Sequence, residues 1–285
     1  MTRRSVRPRR RNVGHVRRAG PALRTRLGRV LPTAGRLFAL LLCAALSAGL
    51  VLLANGPWLR VERVAWAGQH YTAASELQHA LDRLRGRQLL TLDLSAVRAE
   101  IEKLPAVSGA RVEALLPDQI QITLAEKQAT FVWQTSAARL IGAAGGTLIG
   151  QIPLPADLPK DLAALPLVDD RRVASRAIAV GDRIDPALLA AALRLARLDP
   201  ARLGSAATHL AVRLDDEHGF LLVANDPGWQ AALGLYGVDL ADDPPHAWDR
   251  IEAQLAAIRT LFSMRPETGV SWVDVRNPGR VYWRP

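Results

Sequence analysis

Hydrophobic and polar positions along the chain change rhythm several times. Residues 1–36 show no apolar periodicity, and residues 37–54, LFALLLCAALSAGLVLLA, are apolar on every face. Asn55-Gly56-Pro57 then stops any helix, because proline cannot donate to the helical ladder. VERVAWAG (61–68) alternates, with Val61, Arg63, Ala65 and Ala67 on one side and Glu62, Val64 and Trp66 on the other. That pattern predicts a short strand closed by Gly68. Thr72 is placed to cap a helix running to about Leu84, in which Leu77, Ala80, Leu81 and Leu84 share a face. Gly86 ends it. Asp93 opens a second helix whose stripe is Leu94, Val97, Ile101 and Leu104, stopped at Pro105. LPAVSGARVEALLPDQIQITLAEKQ (104–128) contributes two alternating strands hinged at Leu116-Pro117-Asp118-Gln119. Val112, Ala114 and Leu116 are expected to face one way, and Ile120, Ile122 and Leu124 likewise across the hinge. The order is β-α-α-β-β within residues 57–128.

From residue 129 to 285 the rhythm is mainly that of strands. Residues 129–180 hold short apolar runs broken by Gly145-Gly146, Pro153, Pro155, Pro159 and Pro166, which predicts short strands and turns. Asp185-Pro186 pairs a capping acid with proline at the first helical position, opening a helix to about Leu198. HLAVRL (209–214) and FLLVAN (220–225) form a hairpin about Asp215–Gly219. A helix at about 246–264 places Ile251, Leu255, Ile258 and Phe262 on one face. SWVDVR (271–276), a turn at Asn277-Pro278-Gly279 and RVYWR (280–284) finish the chain. The fold class expected is α+β: a membrane helix, a small β-α-α-β-β unit, then a β-rich domain with mixed sheet and packing helices.

Charge alters this picture at one end only. The formal net charge is +10, yet residues 1–36 alone carry 12 arginines and no acid, leaving the remaining 249 residues at −2. The apolar run at 37–54 spans roughly 27 Å at about 1.5 Å per residue, near the hydrocarbon thickness of about 30 Å. A spanning helix is expected, with Trp58 at its interface. A cleaved signal would have a shorter apolar core and a shorter basic region. Excess arginine marks the cytoplasmic flank, so the N-terminus is expected inside and residues 55–285 outside. The tail reads as disordered and drawn to anionic lipid at about 1 kcal/mol per basic residue. It has no aromatic residue before Phe38 to stack on bases, so no specific nucleic-acid readout is expected. The sole cysteine, Cys43, lies in the apolar run, so the outer part is not stapled by disulfides.

Chemistry is harder to find. GAAGGTLIG (142–150) lacks the phosphate-binding glycine order and reads as strand-turn-strand. Asp215-Asp216-Glu217-His218 has neither calcium-loop nor zinc spacing and reads as a hairpin tip. The histidines at 15, 70, 79, 209, 218 and 246 are scattered, and no serine elbow is present. Asp242-Asp243 precede Pro244-Pro245 and read as a loop before a helix. No catalytic residue, cofactor, metal or small-molecule substrate is expected.

The unit at 57–128 resembles the POTRA domain of the FtsQ/DivIB cell division proteins. The resemblance rests on Val61, Val64 and Gly68, on Leu89, Leu90 and Asp93, and on Leu104-Pro105, Val107, Ala110, Val112, Pro117, Ile122 and Glu126. VDVRNPGRVYW at the C-terminus resembles the family's last strands. Lys127-Gln128-Ala129 stands where the family often has Arg-x-Pro, and Asp169-Asp170 follows Leu165-Pro166-Leu167-Val168 where a glycine is common. The resemblance implies a basic cytoplasmic tail (1–36), one membrane helix (37–54), a POTRA domain (57–128) and a C-terminal β domain (129–285). It further implies a non-enzymatic scaffold at the septum, joined to single-pass coiled-coil proteins of the FtsB/DivIC and FtsL type. Their docking site carries onto Asn277, Gly279, Arg280, Val281, Tyr282 and Trp283, with an exposed strand edge as the tool. A secretion or outer-membrane assembly component and a membrane-anchored cell-wall enzyme are the competing readings.

Overall fold

The computed structural model of the protein describes residues 34–235 and 244–285. The arginine-rich stretch before Ala34 and the Asp242-Asp243 pair lie outside the described residues. Helix α1 spans Ala34–Ala54, 21 residues of mean hydropathy 2.6, none of them buried. Its length and composition suit a bilayer of about 30 Å. It starts three residues before the expected boundary, so Arg36 belongs to the helix and not to the tail.

The first unit of the outer part has strand β1 (Arg63–Ala67), helices α2 (Ala74–Asp82) and α3 (Leu94–Ile101), and strands β2 (Val107–Leu115) and β3 (Gln119–Glu126). The sheet order is β1-β3-β2, with β1 parallel and β2 antiparallel to β3. Leu77, Leu81 and Ile101 from the helices bury against Ile120, Ile122 and Leu124 of β3. Asp93 caps α3 as expected, accepting from the amides of Ser95 and Ala96. Thr72 does not cap α2: the residue before that helix is Ala73, and the Thr72 hydroxyl donates to Glu126 at 2.5 Å. The hairpin register sets Val112 opposite Ile122 and Ala114 opposite Ile120. Only Val112 of Val112, Ala114 and Leu116 packs on the core, however; Ala114 and Leu116, toward the hairpin tip, are exposed.

The second unit follows directly as β4 (Ala129–Gln134), β5 (Ala138–Ala143), β6 (Leu148–Pro153), α4 (Lys160–Ala163), β7 (Leu167–Asp170) and α5 (Pro186–Ala196). It continues through β8 (Ala211–Asp215), β9 (Gly219–Val223), β10 (Gln230–Gly234), α6 (Pro244–Met264), β11 (Trp272–Asp274) and β12 (Tyr282–Arg284). All nine strands form one mixed sheet in the order β12-β11-β10-β9-β8-β7-β4-β5-β6. Asp185 caps α5 through the amides of Ala187 and Leu188. Residues from α5 and α6 cover one face of the sheet, where Phe131, Trp133, Phe220 and Trp229 are fully buried. Asp170 is also fully buried; it accepts from the Trp133 indole at 3.1 Å and pairs with Arg172 at 2.8 Å. Gly142 is required by packing, since a Cβ there would collide with the Phe131 ring.

A third small cluster joins the two units. Tyr71 and Ala106 pack with Ile141, Ile149 and Leu162 of the sheet domain. The Tyr71 segment is held by Glu126, whose carboxylate accepts from the amides of His70 (2.8 Å), Tyr71 (2.7 Å) and Thr72 (2.9 Å) as well as the Thr72 hydroxyl. Beside it Lys127 donates to the Pro105 carbonyl at 2.7 Å. Burial pushes the Glu126 pKa up, but these donors outweigh burial and hold it below the usual carboxyl value. A group with a depressed folded pKa contributes stability above its unfolded value of about 4.3, and the contribution is lost as pH falls through the folded value. Glu126→Gln is expected to destabilise the outer part by about 1–3 kcal/mol at neutral pH. Urea melts of the detergent-solubilised chain should show the gap closing toward pH 4; an equal midpoint at pH 7 would refute the role.

Candidate partner-binding edge

A nine-stranded sheet ends in two edge strands, and each presents backbone groups that need partners. The two ends are treated differently. At the β6 end the segment 181–184 pairs with residues 146–148, the turn into β6 and its first residue. Gly181 N–H donates to the Leu148 carbonyl (2.9 Å), Leu148 N–H to Asp182 (2.9 Å) and Ile184 N–H to Gly146 (3.0 Å). Arg183 adds a bond to the Gly145 carbonyl at 2.7 Å, and β6 finishes on Pro153, which has no N–H. At the opposite end β12 pairs with β11 alone, Trp272 facing Arg284, Val273 facing Trp283 and Asp274 facing Tyr282. Among the described residues nothing pairs with its outer side.

The six residues singled out in the sequence fall into two groups on this edge. Asn277 and Gly279 form the turn into β12, closed by Arg280 N–H donating to the Asn277 carbonyl at 3.1 Å. Gly279 has φ of 72°, the left-handed region that suits glycine, with open space around it. Arg280 and Tyr282 point outward, their side chains 3.5 Å apart, and Tyr282 is 48% exposed. Val281 and Trp283 instead pack on the helix-covered core. The Arg265 guanidinium lies 4.4 Å from the Trp283 ring centroid, a cation–π contact that clamps β12 to the end of α6. Trp283 is therefore a support of the edge.

Several residues outside the expected set position this edge. Gln254 of α6 is buried and donates to the carbonyls of Leu233 (2.8 Å) and Val275 (3.0 Å), fixing the chain just before the turn. Its Oε1 is buried without a partner among the described residues. A pocket of about 100 Å³ opens beside it, between Arg250, Ala253, Gln254 and Ala257 of α6 and residues 275–280. Glu267 ties the base of β11 to the core, accepting from Ser205 Oγ (2.5 Å), the Ala206 amide (2.7 Å) and the buried Trp229 indole (2.9 Å). Burial raises its pKa, but those bonds win and hold it low. Asp274 is held low chiefly by Arg276, at 2.7 Å. Gln254 was detectable in the sequence, because it sits three residues after Ile251 and four before Ile258, a polar side chain on the buried stripe. Glu267 and Arg265 carry no such sign.

The other sequence features serve local structure. Gly145-Gly146 lie in the β5–β6 turn, and Asp215 accepts from the amides of Glu217 and His218 at the β8–β9 tip. Among the described residues no group of three or more His, Cys, Asp or Glu is placed to hold a metal ion.

The small unit is thus a two-helix, three-strand domain joined to a sheet domain whose β12 edge has no partner strand among the described residues. Residues 59–127 match the family described as POTRA domain, FtsQ-type. The chain is also similar to the cell division protein FtsQ of Chloroflexus aggregans (strain MD-66 / DSM 9485). The two are 26% identical over 218 residues, which cover 76% of this chain and 71% of that protein. The two matches together support the FtsQ/DivIB family for this chain.

Because Tyr282 points out and Trp283 packs in, the two should behave differently on truncation. Tyr282→Ala is expected to change stability by no more than about 0.5 kcal/mol. Trp283→Ala should cost about 1–3 kcal/mol and loosen β12. Thermal melts of the two variants check this, and equal losses would contradict the assigned directions.

Proposed function

We propose that the protein is a non-enzymatic, single-pass scaffold of the bacterial division machinery, which offers the outer side of β12 to a partner strand. The observation that carries this reading is the asymmetry of the sheet. The chain's own 181–184 segment pairs with residues 146–148 at the start of the β6 edge, whereas no segment among the described residues pairs with the outer side of β12. Main-chain hydrogen bonds to an added strand supply affinity, and outward side chains such as Tyr282 and Arg280 supply selectivity. Single-pass coiled-coil proteins of the FtsB/DivIC and FtsL type are the partners this reading names. No small-molecule substrate, cofactor or sequence-specific nucleic acid enters it.

The arginine-rich flank of α1 supports a cytoplasmic N-terminus with residues 55–285 outside, and in this reading the chain joins cytoplasmic division components to septal peptidoglycan synthesis through protein contacts. Protease added to spheroplasts is expected to digest residues 55–285 and spare the tail; the reverse pattern would overturn the orientation. A fluorescent protein fused before Met1 is expected to form a ring at the constriction of dividing cells. Tyr282→Ala should keep the ring but lower co-purification of the coiled-coil partner. Even membrane fluorescence at native expression would move the secretion and cell-wall-enzyme readings ahead.

A further inference from the structure

The chain just beyond α1 makes a second surface, unrelated to β12. Residues 60–61 run antiparallel to residues 86–88: Arg60 bridges Gln88, Val61 N–H donates to the Arg87 carbonyl at 2.9 Å, and Gly86 N–H donates to the Val61 carbonyl at 2.8 Å. The Gln88 side-chain amide donates to the carbonyl of Ala54, the last residue of α1. Trp58 folds back over the buried Gly56, where a Cβ would collide with the indole. This clasp gathers Trp58, Arg60, Arg85, Arg87 and Leu90 next to residue 54, and all five are exposed.

The charges in this group are largely uncommitted. Neighbouring Arg63 is paired with Asp118 at 2.6 Å and Arg83 with Glu100 at 2.9 Å. Arg85 has only a long contact to Asp82, 3.8 Å, while the side chains of Arg60 and Arg87 have no ion pair among the described residues. Trp58 and Leu90 add large apolar surfaces, 60% and 55% exposed. Water alone is a poor neighbour for that combination. A headgroup layer satisfies both halves, since indoles settle at the interface and arginine side chains reach phosphate while their stems lie along apolar surface.

We propose that Trp58, Arg60, Arg85, Arg87 and Leu90 form a collar that seats on anionic phospholipid headgroups of the leaflet from which α1 emerges. The occupant follows from position: Arg60 is six residues past the helix end, within about 20 Å along even a fully extended chain. The inference rests on the membrane-spanning reading of α1. It differs from lipid contact by the arginine tail, which flanks the other end of that helix.

The test reconstitutes the full chain into nanodiscs of phosphatidylcholine alone or with phosphatidylglycerol, and follows hydrogen exchange. Retention in discs after alkaline carbonate reports on spanning; loss there would sink the spanning reading and the collar with it. In retained protein, the peptides covering 57–63 and 84–91 should exchange about five-fold more slowly in the anionic discs, the factor expected of one arginine engaged at about 1 kcal/mol. A variant with Arg60→Gln, Arg85→Gln and Arg87→Gln keeps the tail and should lose that difference, while exchange at 272–284 stays unchanged as a check on folding. Inserted protein whose exchange at 57–63 and 84–91 is the same in both lipids, or is slowed equally in the variant, would overturn the collar.

Discussion

Backbone hydrogen bonding that must be completed at both ends of one long sheet is the constraint on which the outer part of this protein depends. Nine strands share their ladders, and the end strands β12 and β6 each have a neighbouring strand on one side only. A fold that left both ends open would invite uncontrolled strand addition. Residues 181–184 and Pro153 blunt the start and finish of one end, and the other is a three-residue strand that helix α6 supports.

That support is built from polar contacts that reach into the hydrophobic core. Gln254, Glu267 and the Arg265–Trp283 contact all bind β11, β12 or their approach to α6 or to the core beneath it. Glu126 does the equivalent work at the junction of the POTRA unit and the sheet. In both places a carboxylate is kept ionised against the pull of burial by several donors, so the two points share the same sensitivity to acid.

What could be read from the sequence was local. The caps at Asp93 and Asp185, the hairpin pairing about Pro117 and the turn about Asp215 all follow from short-range patterns, and the structure has them. Thr72 carried the same capping signal and was diverted, because Glu126, 54 residues away, competes for it. Strand β10, QAALG, gave no alternation strong enough to stand out, being built from small residues that fit between its neighbours β9 and β11. At the edge, alternation separated Tyr282 from Val281 and Trp283. It could not tell which side faced the helices, since that depends on α6 packing across the sheet. The collar was half legible. Trp58 stood out by its distance from the apolar run, whereas Arg85 and Arg87 join it only through the pairing of residues 60–61 with 86–88.

The shortness of β12 has a further consequence. Three residues supply only a few main-chain bonds to a visiting strand, too few to capture a dilute partner against the loss of its translational freedom. A partner anchored beside α1 in the same bilayer has surrendered most of that freedom already, and meets the edge at an effective concentration set by tether length. Under the proposed reading, an edge this small discriminates by address: it holds proteins that share its membrane and releases soluble strands of similar sequence.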